Sequence, residues 1–296
     1  MRRILVTGAT GNIGREVIQY LCKLNTPFEI IAAVRNTEEG KRKLSDTLNL
    51  RFRQFDFDNP STFDSSFNDI EILFLLRPPH ISDVEVYFLP LLKSAQANGI
   101  QKILFLSVQG AEKSKVIPHN KIERMIQSLG SSYIFVRPSY FMQNLTTTLL
   151  PEIIKDQTIT LPSGKATFNW IDVQNISEAS AILMLSFERY QNKAFEITGT
   201  ENMNFLEVTG LMTAIIGRKI TYRSINPISF YFKKRKEGVG SRFAVVITIL
   251  HFLPRFQNEP MISENFKLLA GAEPTTIREF ILRERENFIL KKYRSN

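Results

Sequence analysis

Three glycines, Gly8, Gly11 and Gly14, follow a short apolar run near the start of the chain and precede a helical pattern. Such residues can bind a pyrophosphate, because Gly8 permits a tight turn, Gly11 has no side chain to block the phosphates and Gly14 lets a helix lie close on a sheet. The N–H groups and the positive dipole end of that helix would then face the phosphates. The Gly-x-x-Gly-x-x-Gly spacing differs from the Gly-x-Gly-x-x-Gly of long-chain dehydrogenases, and an ordinary glycine-rich turn is the alternative. The strand before the glycines and the periodic apolar residues after them favour a dinucleotide-binding loop.

A cationic residue stands where dinucleotide-binding strands usually carry an acid. About 20 residues past the glycine loop, such a strand commonly ends in an Asp or Glu that bonds the ribose hydroxyls of the adenosine. Here the strand ends at Arg35, with Lys41 and Arg42 close behind. A guanidinium can form two bonds to a 2′-phosphate, which a carboxylate would repel. The sequence therefore predicts NADP(H) in preference to NAD(H), with an ordinary surface arginine as the alternative.

Two other regions carry polar residues whose roles the sequence leaves open. Asp56 follows the third predicted strand, where it could face the adenine amino group or cap a turn. In a later helix, His119 and Glu123 are four residues apart and share one face, whereas Lys121 points roughly the opposite way. If one face of this helix meets the cofactor, either Lys121 bonds the ribose or His119 approaches the substrate. The alternatives are a surface histidine paired with Glu123 and a solvated lysine.

Metal and hydrolase chemistry are not expected. His80, His119 and His251 lie far apart without ligand spacing, and a single cysteine cannot form a zinc cluster. The Gly-x-Ser-x-Gly elbow typical of many hydrolases does not occur. The one cysteine, Cys22, excludes an internal disulfide and fits a reducing cytoplasm.

The elements that must position these residues alternate between strand and helix over the first 138 residues. Apolar runs bounded by turn residues predict strands, and the stretches between them have helical periodicity. This alternation predicts an α/β fold with a doubly wound parallel sheet of Rossmann type and with ligands at the carboxyl ends of its strands. The apolar run that begins at residue 3 is expected to form the first strand, and further strands are expected at residues 28–34, 50–55, 70–76, 102–106 and 133–136. A helix is expected after the glycine loop, with Val17, Ile18 and Leu21 as its periodic apolar residues, and further helices are expected at 61–67, 82–98 and 118–129.

The rest of the chain predicts a smaller, mostly helical substrate region. Residues 139–144 begin a segment rich in aromatic residues and Met, which we interpret as a substrate lid. The strand and helix pattern within 166–199 is expected to return to the sheet. The apolar run from Phe243 to Leu253 is too short for a membrane span, and we expect a buried helix there. The predicted organisation is a dinucleotide-binding domain over 1–138 together with 166–199, and a substrate region over 139–165 and 200–296.

The composition is that of a globular protein, with 296 residues of which 43% are hydrophobic and 23% charged. Because the first strand begins at residue 3, we expect no signal or transit peptide and a cytoplasmic location. The formal charge is +9, but the basic clusters at 233–236 and 291–294 are short and match no base-reading motif. We therefore interpret them as solvated surfaces and expect neither nucleic acid nor a membrane as a partner.

Seven stretches carry a family resemblance: Val6–Gly14, Ala33–Arg35, Ser107–Ala111, His119 with Glu123, Val136–Asn144, Asp172–Ile176 and Phe195–Gly199. Together they resemble the NmrA-like branch of the atypical short-chain dehydrogenases, which includes NAD(P)H-quinone reductases and NADP-sensing regulators, and the likeness extends over nearly the whole chain. In typical short-chain dehydrogenases a Tyr acts as acid or base, and a Lys four residues later lowers its pKa. No Tyr in this sequence has a Lys at that spacing. Catalysis by that pair is therefore not expected.

The resemblance implies roles for further residues. Thr10, Asn12 and Ile13 would hold the pyrophosphate together with the glycines, and Arg35 would hold the 2′-phosphate. Tyr140 would stack on or near a flat acceptor, or else pack in the core. The residues that would border the ribose and the nicotinamide are Leu75, Leu76, Arg77, Ser107 and the segment Pro138, Ser139, Tyr140 and Phe141.

Two functions are consistent with these expectations. One is an NADPH-dependent reductase that transfers hydride to a quinone or a similar conjugated carbonyl, whose reduced oxygen takes its proton from water or a nearby tyrosine. Its candidate catalytic residues are His119, Lys121 and Tyr140. The other is a redox sensor that binds NADP(H) without turnover and signals to a protein partner, which the missing Tyr-x-x-x-Lys pair favours. The acceptor and the oligomeric state are left open.

Overall fold

The computed structural model describes residues 2–24, 26–47, 50–79, 81, 83–115 and 117–289. The chain divides into two compact units. The first unit comprises residues 1–138, 173–197 and 265–272, and the second comprises residues 139–172, 198–264 and 273–296. Within the described ranges, no helix is long and apolar enough to cross a membrane.

Strands and helices account for most of the described chain. The strands are β1 (Arg3–Val6), β2 (Glu29–Val34), β3 (Arg51–Gln54), β4 (Ile72–Leu76), β5 (Lys102–Leu106), β6 (Ser132–Pro138), β7 (Tyr140–Phe141), β8 (Thr158–Leu161), β9 (Thr167–Ile171), β10 (Lys193–Ile197), β11 (Asn202–Asn204) and β12 (Thr221–Ser224). The α-helices are α1 (Asn12–Lys23), α2 (Thr37–Lys43), α3 (Phe63–Phe67), α4 (Val84–Ala97), α5 (Pro118–Ser128), α6 (Leu150–Asp156), α7 (Val173–Leu185), α8 (Phe187–Tyr190), α9 (Phe205–Ile216), α10 (Pro227–Lys236), α11 (Ser241–Phe252), α12 (Asn265–Ala270), α13 (Ile277–Arg283) and α14 (Arg285–Ile289).

Seven strands of the first unit form one parallel sheet in the order β10-β6-β5-β4-β1-β2-β3. The chain builds outward from β1 in one direction and from its neighbour β4 in the other. The connections therefore leave β1 and β4 on opposite sides, and a crevice forms at the carboxyl ends of these two strands. The predicted α/β fold class, a doubly wound parallel sheet, is confirmed.

The central strands β1, β2, β4 and β5 are nearly continuous apolar runs because both of their faces are buried, whereas the edge strands β3 and β10 are partly exposed. β2 is buried along its whole length. One face of the sheet packs against α3, α4 and α5, whose buried residues include Phe67, Phe88 and Ile122. β5 has the predicted bounds, and β2, β3, β4 and β6 differ from theirs by one or two residues at an end.

The segment 166–199, which was expected to return to this sheet, is shared between the two units. β10 pairs with β6 at the edge of the large sheet, as expected. β9 instead pairs with β7 and β11 in a three-stranded sheet of the second unit, and for β9 the expectation is wrong. The physical reason is that Phe168 and Trp170, on one face of β9, pack with Tyr140 and Phe205 in the core of the second unit.

The second unit has its own apolar core. The segment interpreted as a lid contributes α6 and β8 to this core through Ile153, Ile159 and Leu161, and its role as a lid remains a prediction. β8 pairs in parallel with β12. The run from Phe243 to Leu253 forms α11, which buries Ala244, but one side of this helix is exposed. The expectation of a buried helix is wrong for the exposed side. α11 carries apolar side chains on both sides, but only its other side faces the core.

Candidate functional site

The glycine loop joins β1 to α1 at the carboxyl end of the large sheet. Gly8 has φ +62°, in the left-handed region, and a Cβ there would lie 2.8 Å from a methyl carbon of Leu76. A Cβ on Gly14 would collide with the carbonyl oxygen of Gly8, so α1 approaches the loop very closely. The N–H of Gly11 donates to the same carbonyl at 2.9 Å. Gly8 and Gly14 are therefore required by the turn conformation and by the close approach.

The N-terminus of α1 carries a partial positive charge that its own first turn does not offset. Gly11 occupies the N-cap position, where it offers no side-chain oxygen, and the first turn holds no acidic residue. Thr10 and Asn12 are exposed, and Ile13 is half-buried. The first N–H groups of a helix have no acceptor within the helix and lie at the positive end of its dipole. This loop can therefore accept an anionic group such as a pyrophosphate.

Thr7 holds β1 and β4 together at the crevice. Its Oγ1 donates to the carbonyl oxygen of Phe74 at 3.0 Å and accepts the N–H of Leu76 at 3.1 Å. Leu76 thereby lies beside Gly8, whereas Leu75 is fully buried in the core of the sheet. No role for Thr7 is predicted from the sequence, although a hydroxyl residue directly before the first glycine is a signal that could have found it.

Arg35 lies at the end of β2 with its side chain exposed. Lys41 pairs with Glu38 at 2.7 Å, whereas Arg35 has no ion pair within the described part of the chain. Asn36 caps α2, since its Oδ1 accepts the N–H of Glu39 at 2.9 Å. The start of α2 is therefore held without Arg35, and the guanidinium is available to an anion from solution.

Asp56 lies in the turn that follows β3. Its Oδ1 accepts the N–H of Asp58 at 3.1 Å, and its own N–H donates to Oγ1 of Thr62 at 3.0 Å. Of the two roles considered for Asp56, the structure shows the turn contact. A contact with adenine remains a prediction.

A buried carboxylate, Glu123 of α5, joins the carboxyl ends of β5 and β6. Its Oε1 accepts the hydroxyl proton of Ser107 at 2.6 Å, and its two oxygens accept from Nε and Nη2 of Arg137 at 2.9 and 2.6 Å. Arg137 also pairs with Glu112 at 2.9 Å. Burial is the largest single influence and acts to lower the pKa of Arg137, but the bond to Glu123 and the charges of the nearby glutamates together outweigh it, so the pKa is raised. Glu123 is thus bonded to Ser107 and Arg137, and the pairing with His119 is not what the structure shows.

His119 and Arg77 lie near each other on this edge of the first unit. The His119 ring is half-buried, with its centroid 6.1 Å from that of Phe105. Burial, and secondarily the charge of Arg77, lowers the pKa of His119 to about 3, so the imidazole is neutral at pH 7. Arg77 donates from Nη1 to the carbonyl oxygens of Pro78 and Ile81, but its Nε is buried and has no partner within the described ranges. A buried donor without a partner costs about 1–3 kcal/mol, so an acceptor supplied by a ligand would be stabilised here.

The remaining predicted site residues of the first unit are Lys121 and Pro138. Lys121 is exposed, on the side of α5 away from the buried Ile122 and Ile126. Pro138 is buried at the end of β6, where its carbonyl oxygen accepts the N–H of Gln109 at 2.9 Å. No cluster of His, Cys, Asp or Glu that could hold a metal ion occurs among the described residues, and His80 lies outside them.

Tyr140 is part of an aromatic cluster in the second unit. Its hydroxyl lies 2.8 Å from Nε2 of His251, whose Nδ1 lies 2.7 Å from the carbonyl oxygen of Ile247. Because a carbonyl can only accept, Nδ1 carries the imidazole proton and Nε2 accepts the proton of Tyr140. Burial lowers the pKa of His251 to about 4 and raises the pKa of Tyr140. The Tyr140 ring packs edge-on against Trp170, with 4.9 Å between the ring centroids. The ring therefore packs in the core, which is one of the two placements considered for Tyr140. Its catalytic role remains a prediction.

The doubly wound sheet and the glycine loop at its crevice define the class of proteins with a Rossmann-type fold. The model of the NmrA-like family matches residues 1–281, and the chain belongs to that family. The resemblance seen in the sequence motifs is therefore confirmed.

Two curated proteins share 27% identity with this chain. Prestalk A differentiation protein A of Dictyostelium discoideum is 27% identical over 94% of this chain and 90% of its own length. The NAD(P)H azoreductase of Xenophilus azovorans is 27% identical over 75% of this chain and 77% of its own length.

Solved structures share the fold at low identity. The Citrobacter sp. triphenylmethane reductase complexed with NADP(H) has a TM-score of 0.83 and 23% identity, covering 95% of this chain and 99% of its own. The Escherichia coli NADPH-dependent quinone oxidoreductase complexed with NADPH has a TM-score of 0.81 and 20% identity, and the match covers 95% of this chain and 99% of its own. NmrA, a negative transcriptional regulator in complex with NADP, has a TM-score of 0.74 and 16% identity, covering 98% of each chain.

Proposed function

We propose that the protein binds NADP(H) and transfers hydride from NADPH to a quinone or a similar conjugated carbonyl. The observation that carries this proposal is the glycine loop in the crevice between β1 and β4. There the N-terminus of α1 and the exposed guanidinium of Arg35 offer two places for anions at the carboxyl ends of neighbouring strands. The azoreductase among the relatives and the NADP(H)-bound reductases among the fold neighbours support it.

The residues of the first unit fit such a cofactor. Residues 8–14 would hold the pyrophosphate against the N-terminus of α1, and Arg35 would form a two-pronged contact with the 2′-phosphate. Arg77 would donate from its unpartnered Nε to a polar group of the cofactor or the acceptor. Leu76 and Ser107 would border the same crevice. The bound nicotinamide supplies the hydride.

Protonation of the reduced acceptor requires no strong acid from the protein. A reduced quinone oxygen can take its proton from water, which leaves orientation as the task of the protein. His119 can donate an N–H hydrogen bond but, with a pKa of about 3, carries no imidazolium proton at pH 7. Ser107 and Tyr140 already donate their protons, to Glu123 and His251. Catalytic roles for His119, Lys121 and Tyr140 remain predictions.

Oxidation of NADPH in the presence of a panel of quinones tests the proposal. We expect acceptor-dependent oxidation by the wild-type protein and its loss in Gly14→Ala, whose added Cβ would collide with the Gly8 carbonyl oxygen. Gly210→Ala is the matched control, because a Cβ at this position in α9 meets nothing within 4 Å. Circular dichroism checks that both variants are folded. NADPH binding without oxidation by any quinone would contradict the reductase and leave cofactor binding standing, whereas absence of binding would contradict both.

The second candidate is a redox sensor that binds NADP(H) and signals to a partner protein. Two observations favour it: the absence of the Tyr-x-x-x-Lys pair from the sequence, and the fold shared with an NADP-bound transcriptional regulator. The expected result is a partner whose affinity changes with the ratio of NADPH to NADP+ while no NADPH is consumed. Equal affinity at both extremes of that ratio would contradict the sensor.

A further inference from the structure

α11 carries apolar side chains on both its inner and its outer side, although it lies at the surface of the second unit. Its inner side buries Ala244, Ile247 and His251. Its outer side carries apolar residues at the i, i+1, i+4, i+5 and i+8 positions, which is the spacing of a stripe that normally faces a core. The outer residues, here called the α11 surface, are Val245, Val246, Ile249 and Leu250, together with Leu253 directly after the helix.

The α11 surface is exposed to a similar degree along its length. The exposed fraction of each of its residues lies between 40% for Val246 and 48% for Ile249. A helix that is apolar all round is normally buried in a protein core or in a membrane. Contiguous exposed apolar patches usually mark a site of interaction. We therefore expect the α11 surface to be covered by a binding partner.

The charges around the α11 surface are of one sign. The stretch 227–256 contains six Lys and Arg residues and one acidic residue, Glu237, which already pairs with Lys233 and Lys234. The cations that remain are exposed and have no ion pair within the described ranges: Arg235 and Lys236 before α11, Arg242 in its first turn and Arg255 just beyond its end. Arg242 precedes Val245 and Val246 by three and four residues and so lies on the same side of the helix.

We propose that the α11 surface docks the protein on an anionic lipid membrane. A helix with an apolar outer side can lie in the plane of the interface with those side chains at the boundary of the headgroups and acyl chains. Cations flanking it would meet the lipid phosphates and carboxylates. α11 has 12 residues, which corresponds to roughly 18 Å of helix and is too short to cross a bilayer.

Charge favours a lipid surface over a second copy of this chain. In a two-fold dimer through the α11 surface, the same patch of both copies would meet, and Arg242 and Arg255 would face cations of the same kind. An anionic membrane offers the opposite charge together with an apolar layer. The proposal does not depend on the proposed reductase activity, and it revises the expectation that no membrane is a partner.

Sedimentation with lipid vesicles tests the proposal. The full-length protein is mixed with vesicles of phosphatidylcholine alone or with roughly one-third phosphatidylserine. We expect binding to the anionic vesicles and little to the neutral ones. Arg242→Gln with Arg255→Gln should weaken binding roughly thirty-fold, because each cation near the surface contributes about a factor of five. Ile249→Ser with Leu253→Ser should weaken it at least roughly ten-fold through lost apolar burial.

Two matched controls separate these effects from general changes in charge and hydrophobicity. Lys93→Gln with Lys219→Gln removes two exposed charges elsewhere, and Leu268→Ser removes a leucine that is 78% exposed on α12. Both should bind the anionic vesicles as the wild type does. Equal binding to both vesicle types, or weakening by the controls as large as by the α11 variants, would overturn the proposal. A dimer in light scattering that Ile249→Ser with Leu253→Ser dissociates, with no vesicle binding, would also overturn it in favour of a second copy.

Discussion

Two histidines, one in each unit, are both neutral at pH 7 and differ in how their ring nitrogens are used. In the second unit His251 is bonded through both nitrogens, to Ile247 and to Tyr140. In the first unit His119 has no hydrogen-bond partner for its ring among the described residues, and it lies near Arg77, whose Nε is also without one. The unpartnered Nε of Arg77 lies at the carboxyl edge of a parallel sheet, where such folds bind their ligands, and this position indicates a place for a ligand.

The largest effect should come from the paired side chains of the first unit, the Glu123 network. Glu123→Ala would leave Arg137 without its main partner and Ser107 without its acceptor. We expect the free energy of unfolding, measured by urea titration, to fall by about 3–5 kcal/mol, because the largely buried guanidinium of Arg137 loses its two-pronged partner and keeps only the more exposed Glu112.

Glu188→Ala is the control for this experiment. Glu188 is 66% exposed and pairs with Lys102 at 2.6 Å. Its loss should cost less than about 1 kcal/mol, as is usual for exposed ion pairs. A similar cost for both variants would mean that the Glu123 network is no more than another surface pair.

The pH dependence of stability provides the next test, of the buried imidazole in the second unit. Burial lowers the pKa of His251 from 6.5 to about 4, so between these values the unfolded chain binds a proton that the folded chain does not. Stability is therefore lost as the pH falls through this window, by about 3 kcal/mol. His251→Gln should remove this part of the loss when urea titrations are compared at pH 7 and pH 4.

At pH 7 the same urea titrations compare the hydrogen bonds of His251 with those of His119. His251→Gln should cost about 1–2 kcal/mol through its disturbed hydrogen bonds. His119→Gln should cost less than about 1 kcal/mol in the protein without cofactor, because no hydrogen bond of its ring is lost. Equal costs for the two variants would contradict the contrast between a paired and an unpaired imidazole.

The sheet and the glycine loop are predictable from sequence because their requirements are local. Each central strand of the large sheet is an apolar run that is buried whichever neighbour it has, and β5 has the predicted bounds. Gly8 and Gly14 are required by a backbone angle and a close approach within the same few residues. The choice of the neighbouring strand is not a local property, so it is not predictable in this way. For this reason the prediction for β9 names the wrong sheet.

The same limit applies to side-chain partners. Glu123 lies 16 residues from Ser107 and 14 from Arg137, so its bonds follow from the packing of α5 beside β5 and β6, which periodicity does not specify. The exposed side of α11 is a second case. A helix that is apolar all round has no polar side to indicate which of its faces the core will cover.

The smallest change in the free energy of unfolding is expected at the exposed arginine that follows β2. Arg35 has no ion pair within the described ranges, so Arg35→Asp should change the free energy of unfolding by no more than about 0.5 kcal/mol. It should nevertheless weaken NADPH binding by roughly ten- to a hundred-fold, the value of a charge-assisted contact, and weaken NADH binding far less. Fluorescence titration with both nucleotides measures the two affinities. Arg278→Asp, which makes the same charge change at an exposed position of α13, should alter neither. If Arg35→Asp weakens NADPH and NADH equally, Arg35 does not contact the 2′-phosphate, and the preference for NADP(H) loses its physical basis.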